Sequence, residues 1–248
     1  MNILVCISSV PDTTTKIKFT SDNKGLDTAG VQFVINPNDE FGLTKALQLK
    51  ESNGGKVTVI NVGLTDTEPV IRKALAIGAD DAIRVNAAPT DALFVAKQIA
   101  AIAKQNSFDL IICGRESIDY NGGLVPGMIG ELLNIPSVSP CTRLEVEGNT
   151  AKMDRLIDGG KELVNATLPV VTGAQKGMVN EDELRIPNMR GIMMARSKPL
   201  NVVEADGASA ATSSDQFTLP PAKGSCKMVS ADNVAELVNL LHTEAKVI

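Results

Sequence analysis

The chain opens on a short, continuous apolar run at residues 3–10, the pattern of a strand buried on both faces. An irregular insert follows, with a turn signal at Asp22-Asn23-Lys24-Gly25 and a strand-like stretch at 31–35. Asn36-Pro37-Asn38-Asp39-Glu40 then reads as a helix start, with Asn38 as the expected N-cap and acids in the first turn, where the helix dipole favours them. Leu43, Ala46, Leu47 and Lys50 recur at helical spacing, and Gly54-Gly55 closes the unit. The same alternation repeats. A strand is predicted at 57–62, and a helix at 67–77 with Val70, Ile71, Ala74 and Leu75 on one face. A short strand at 82–85, a helix from about 91 to 104 and a strand at 109–114 come next. A last helix carries Val125, Met128, Ile129, Leu132 and Leu133 on one side and stops before Pro136. Such βα repeats predict an α/β fold: a doubly wound parallel sheet with helices on both faces.

The second half has another rhythm. Glu147-Gly148-Asn149 and Asp158-Gly159-Gly160 are tight-turn signals between short β-like runs, which predicts a β-hairpin excursion. Another apolar strand is expected at 168–172. Residues 192–195 read either as a core strand flanked by charges or as part of an interaction surface, and Ile186-Pro187-Asn188-Met189 as a loop. Residues 205–215 are small and polar, a linker composition. A final helix is expected from about Ala231, capped by Ser230, with Val234, Leu237, Val238 and Leu241 on one face. That face packs on its own domain or clasps a partner. The expected division is a domain at 1–200 and a linker with a C-terminal helical arm at 201–248.

Composition narrows the chemistry. The 248 residues include no Trp, one Tyr (Tyr120), six Phe and one His (His242), which excludes His-rich metal sites and argues against aromatic stacking platforms for nucleic acid. Lys and Arg total 24 against 29 Asp and Glu, a net charge of −5 with no basic tract to follow a phosphate backbone. No apolar run approaches the ~20 residues of a membrane-spanning helix. The start lacks a basic n-region and a small-residue cleavage site, so a cytoplasmic location is expected. Cys6, Cys113, Cys141 and Cys226 are not spaced as metal ligands or as a CxxC pair and read as small hydrophobes.

Open α/β sheets bind ligands outside the carboxyl ends of their strands. Three segments fall there: residues 6–13, Val62-Gly63-Leu64, and Gly114-Arg115-Glu116-Ser117-Ile118-Asp119-Tyr120-Asn121-Gly122-Gly123-Leu124. The third is glycine-bracketed and leads into a helix N-terminus, whose free amides and dipole suit a nucleotide phosphate; the competing reading is an ordinary βα turn. There is no GxxxxGK[ST] and no GxGxxG after the first strand. No nucleophile–base pair stands out, so the chain reads as a binder or carrier scaffold. Met178, Met189, Met193 and Met194 are interleaved with Arg185, Arg190, Arg196 and Lys198, a mixture used by adaptable interaction surfaces.

Six segments, in order, resemble the beta subunit of electron transfer flavoprotein. They are Val5-Cys6-Ile7-Ser8-Ser9-Val10-Pro11-Asp12-Thr13, Ile35-Asn36-Pro37-Asn38-Asp39-Glu40, and Arg72-Lys73-Ala74-Leu75-Ala76-Ile77-Gly78-Ala79-Asp80. The others are Gly114-Arg115-Glu116-Ser117-Ile118-Asp119, Arg155-Leu156-Ile157-Asp158-Gly159-Gly160-Lys161-Glu162 with Leu168-Pro169-Val170-Val171-Thr172, and Leu184-Arg185-Ile186-Pro187-Asn188-Met189 followed by Met194-Ala195-Arg196. The resemblance implies a fold of the adenine-nucleotide-alpha-hydrolase type. It implies a heterodimer with an alpha subunit that holds most of a redox FAD, and an AMP of structural role in the beta subunit. By position, the AMP would lie against Cys6, Asn36, Pro37, Asn38, Asp39, Val62 and residues 114 to 125, ending at Val125, while Thr13 would approach the flavin. Ile186, with Pro187 and Met189, would dock into flavoprotein dehydrogenases of the acyl-CoA dehydrogenase type, whose electrons pass on to a quinone reductase. The C-terminal helix would embrace the alpha subunit.

Asp119-Tyr120-Asn121-Gly122-Gly123-Leu124-Val125 departs from the family's Asp-Gly-Asp-Thr-x-Gln-Val by lacking the threonine and the glutamine. Leu156 stands where an acid is usual, and Arg190-Gly191-Ile192 reads as an insertion after the anchor. Some relatives carry a second FAD in place of AMP and bifurcate electrons, and this loop does not decide between the two. A stand-alone adenine-nucleotide binder of universal-stress type is the alternative of another class. Against it, that class's Gly-x2-Gly-x9-Gly pattern is missing after Ile112.

Overall fold

A computed structural model describes residues 1–248. The chain runs β1 (Asn2–Cys6), β2 (Ser9–Pro11), β3 (Phe33–Ile35), α1 (Pro37–Asn53), β4 (Lys56–Val62), α2 (Glu68–Ile77), β5 (Asp81–Asn86), α3 (Ala92–Gln105), β6 (Leu110–Gly114) and α4 (Val125–Leu133). It continues with β7 (Ser137–Glu147), β8 (Thr150–Ile157), β9 (Gly160–Thr167), β10 (Val170–Ala174), α5 (Met189–Ala195), β11 (Leu200–Glu204) and α6 (Val234–Leu240). Nine strands form one sheet in the order β11-β5-β4-β1-β6-β10-β7-β8-β9. Neighbours from β11 to β7 are parallel, and β7-β8-β9 is an antiparallel meander built on the two glycine turns. The fold is the expected doubly wound α/β architecture with its hairpin excursion.

Alternation along the central strands sends side chains to both faces. Ile3, Val5, Leu110 and Ile112 pack with Leu43 and Leu47 of α1 and Ile71 and Leu75 of α2. Leu4, Cys6, Ile111 and Cys113 pack with Phe94 and Ile99 of α3 and Ile129 of α4. Gly42 lets α1 approach the sheet, since a Cβ there would sit 2.8 Å from Ile112 Cγ2. Burial at this density means that truncating a residue such as Ile112 to Ala costs about 2–5 kcal/mol.

Five local expectations are corrected. Residues 3–10 are not one strand: β1 ends at Cys6, and β2 leaves the sheet to pair with β3 as a separate ribbon. The N-cap of α1 is Asn36, with Pro37 in the first turn, where its missing N–H costs nothing. Residues 189–195 are a helix, not a core strand, capped by Asn188 Oδ1 accepting from Gly191 N at 2.8 Å. The last helix begins at Val234 and is capped by Asn233, not by Ser230. The segment expected as linker from residue 201 first supplies β11, which pairs with β5 at the edge of the sheet.

Candidate functional site

β1 lies between β4 and β6, and the chain turns from building one side of β1 to building the other. That reversal is the switch point at which open α/β sheets hold ligands, because the two flanking loops diverge there. A crevice of about 470 Å³ opens at this point. Cys6 and Cys113 line it from the ends of β1 and β6, Val62 from the end of β4, and the loop after β6 forms one wall.

That loop is held from behind. Asn36 Nδ2 donates to Glu116 O at 2.9 Å and Asn38 Nδ2 to the same carbonyl at 3.1 Å. Ile118 N donates to Asn36 Oδ1 at 3.3 Å. Asp39 ties three segments together: Oδ1 accepts from Gly114 N at 2.8 Å and Asn36 Nδ2 at 3.0 Å, and Oδ2 accepts from Ser8 N at 2.7 Å. Burial pushes the Asp39 carboxyl up to about 7, against those N–H donors, which favour its ionised form. A Cβ at Gly114 would collide with Asp39 Oδ1, so glycine is needed for this close approach.

The in-register pairing of β1 with β6 sets Cys6 beside Cys113 on one face of the sheet. A hydrogen bond from the Cys6 thiol to Cys113, together with burial, holds Cys6 well above its ordinary range. Along the opposite wall, Val95 and Ile99 of α3 give the crevice an apolar side. The 114–124 loop turns through Asn121 and Gly123, both at positive φ, and Asn121 N bonds Ser117 O at 2.8 Å.

Cys6, Asp39, Val62, Gly114, Glu116, Ser117, Asp119, Tyr120, Gly122, Gly123, Leu124 and Val125 border the crevice. Asn36, Pro37, Asn38, Arg115, Ile118, Asn121 and Thr13 do not. Asn36 and Asn38 act on the loop instead, and Arg115 turns away to Glu116 and Gln175. Ser8 and Ser9, within the strand-end segment 6–13 that the sequence pointed to, also line the crevice, whereas sequence reasoning missed Asn61 and Thr67, the N-terminus of α3, and Thr212-Ser213-Ser214. Nothing local marks residues 212–214.

Away from the crevice, Ile186 is 84% and Met189 77% exposed, and Met193 of α5 is exposed beside them. Pro187 is half-buried. α5 lies on α2 so closely that a Cβ at Gly191 would collide with Ala76 O. Arg72 Nη1 donates to Ala195 O and Lys198 O, both at 2.8 Å, and fixes the end of α5. Arg185 pairs side by side with Glu51 through two hydrogen bonds, which anchors the stretch before Ile186.

Fold and crevice define a doubly wound α/β ligand-binding domain with a separate exposed apolar surface. Residues 24–208 match the family described as electron transfer flavoprotein domain. Over 262 aligned residues and the full length of both chains, the sequence is 35% identical to the electron transfer flavoprotein subunit beta of Bacillus subtilis (strain 168). It is 32% identical to the same subunit of Bradyrhizobium diazoefficiens over 254 residues and to the mitochondrial one of Arabidopsis thaliana over 259, again over whole chains. The chain belongs to the electron transfer flavoprotein beta-subunit family. The family carries electrons as flavoproteins, and a beta subunit implies an alpha subunit as partner. No helix is long and apolar enough to cross a membrane.

Proposed function

We propose that this chain is one half of a heterodimeric electron carrier, with FAD held mainly by the alpha subunit and AMP in the crevice described above. The observation that carries the reading is the crevice itself. Its apolar side, with Val62, Val95 and Ile99, suits an adenine base, and the 114–124 loop presents backbone amides for a phosphate. The threonine and glutamine missing from that loop are replaced in this reading by amides alone. When bound between the subunits, the flavin supplies the redox chemistry. This chain shapes one wall, with Thr13 on the exposed loop nearest that role, and keeps the adenylate pocket ordered through Asp39, Asn36 and Asn38.

Electrons arrive, in this reading, from flavoprotein dehydrogenases of the acyl-CoA dehydrogenase type and leave to a quinone reductase. Ile186 is the apolar anchor, Pro187 stiffens the segment that presents it, and Met189 extends the contact. Arg190 and Arg196 flank the anchor and would steer acidic partners. A stand-alone binder is disfavoured by the apolar face of α6, where Val234, Leu237 and Val238 are exposed. The test is to purify the chain with its alpha subunit and count nucleotides. One flavin and one AMP per heterodimer are expected; two flavins would make it a bifurcating subunit, and a colourless complex would refute both. Ile186→Ala should slow reduction by the dehydrogenase about tenfold or more and leave flavin content unchanged. An unaltered rate would remove the anchor role.

A further inference from the structure

The chain does not leave the domain after β11. Asp206 and Gln98 of α3 exchange two hydrogen bonds, Asp206 N to Gln98 Oε1 at 2.9 Å and Gln98 Nε2 to Asp206 Oδ1 at 2.5 Å. Asp91, the N-cap of α3, divides its carboxylate. Oδ1 accepts from Phe94 N at 2.7 Å, while Oδ2 accepts from Ala211 N at 2.7 Å, Thr212 N at 2.8 Å and Thr212 Oγ1 at 3.1 Å. Thr212, Ser213 and Ser214 then line the crevice. Beyond them Phe217 N donates to Asn23 O at 2.8 Å, and the Phe217 ring stacks on Phe19 at 5.4 Å between centroids. The segment is thus fixed at one end on α3 and at the other on the insert between β2 and β3, with its middle against the ligand space.

We propose that residues 206–217 form a strap that completes the nucleotide crevice and selects for length, retaining a mononucleotide and disfavouring a dinucleotide. This rests on the nucleotide reading given above. A mononucleotide fits between the 114–124 loop and the strap, with the Ser213 and Ser214 hydroxyls available to its sugar or phosphate. A dinucleotide has a second half that must leave the crevice, and leaving on the strap side means breaking the bonds to Asp91. Hydrogen bonds to a carboxylate are the stronger kind, so lifting the strap is unfavourable. Phe217 is therefore a positioning residue that acts on the ligand through the strap, while Asp91 borders the crevice itself and also holds the strap.

Two substitutions separate this role from mere stability. Asp91→Asn keeps the α3 cap, because Asn caps as well as Asp, but its amide nitrogen cannot accept from Ala211 and Thr212. Phe217→Ala releases the other end and touches neither α3 nor the crevice. AMP and FAD are each titrated calorimetrically into the full-length chain and both variants. Both substitutions are expected to weaken AMP by about tenfold while FAD binding does not fall. AMP affinity within about twofold of wild type overturns the strap proposal, as does a parallel loss of AMP and FAD, which would mark general damage. If the wild-type chain binds no AMP, the nucleotide reading falls and the strap's role falls with it. If wild-type binding is present and survives both substitutions, the strap proposal alone fails.

Discussion

Asp39 shows how much one side chain can organise. Its two oxygens join the end of β1, the start of α1 and the end of β6, the three segments that meet at the crevice. Its carboxyl titrates near 7 because burial disfavours the charge more than the N–H donors favour it. The folded-state value lies above the unfolded 3.8, so the protonated fold gains stability that is fully present below pH 4. That gain is lost as pH rises toward and through 7, by roughly 4 kcal/mol at most. Urea unfolding of wild type and Asp39→Asn across pH 4 to 8 reads it directly. The wild type should lose ground to the variant over this range, and parallel curves would show that Asp39 does not titrate there. The Asn36-Pro37-Asn38-Asp39-Glu40 motif was legible as a helix start, but not the division of labour within it. Which residue caps, which holds the loop and which lies at the crevice follows from contacts with Glu116 and Gly114, far along the chain.

At the scale of elements, the periodic βα units of the first half could be read directly, because each buries one apolar stripe of ordinary length. α5 and β11 could not. A short apolar run such as Ile192-Met193-Met194-Ala195 satisfies helix and strand alike, and packing on α2 decides it. β11 is a strand only because β5 offers it an edge. Likewise, Cys6 and Cys113 show no motif in the sequence, and strand pairing brings them together. The α5–α2 contact carries a prediction. Gly191→Ala places a methyl against Ala76 O, which must push α5 outward. We expect a loss of about 1–3 kcal/mol in urea unfolding, with slower reduction by the dehydrogenase as the anchor is displaced. A variant of wild-type stability and rate would show that the helix has slack at this contact.

Over the whole molecule, the arm is the part least tied to the rest. Beyond Phe217, large apolar residues such as Leu219, Met228 and Val234 are exposed, and none of α6 is buried. Removing residues 218–248 should therefore leave the thermal unfolding midpoint of the isolated chain within a few degrees, since little buried area is lost. The same truncation should abolish co-elution with the alpha subunit in size-exclusion chromatography. A large fall in the midpoint would show that the arm belongs to the domain's own core. The sequence made the arm visible through its amphipathic face and the small, polar stretch before it. It gave no sign that this stretch is strapped to α3, because the partners, Asp91 and Gln98, lie more than a hundred residues away.

The position of β1 has a consequence for the order in which the protein takes shape. β1 lies inside the sheet, fourth of its nine strands, and one of its neighbours, β6, begins only at Leu110. Until β6 emerges from the ribosome, one edge of β1 has no partner and Asp39 lacks the Gly114 amide. Pairing across such a separation is slow, because a long loop must close before any contact rewards it. The nascent chain thus carries an open strand edge on β1 until residues 110–114 have been made, and the binding crevice exists only after β6 has docked.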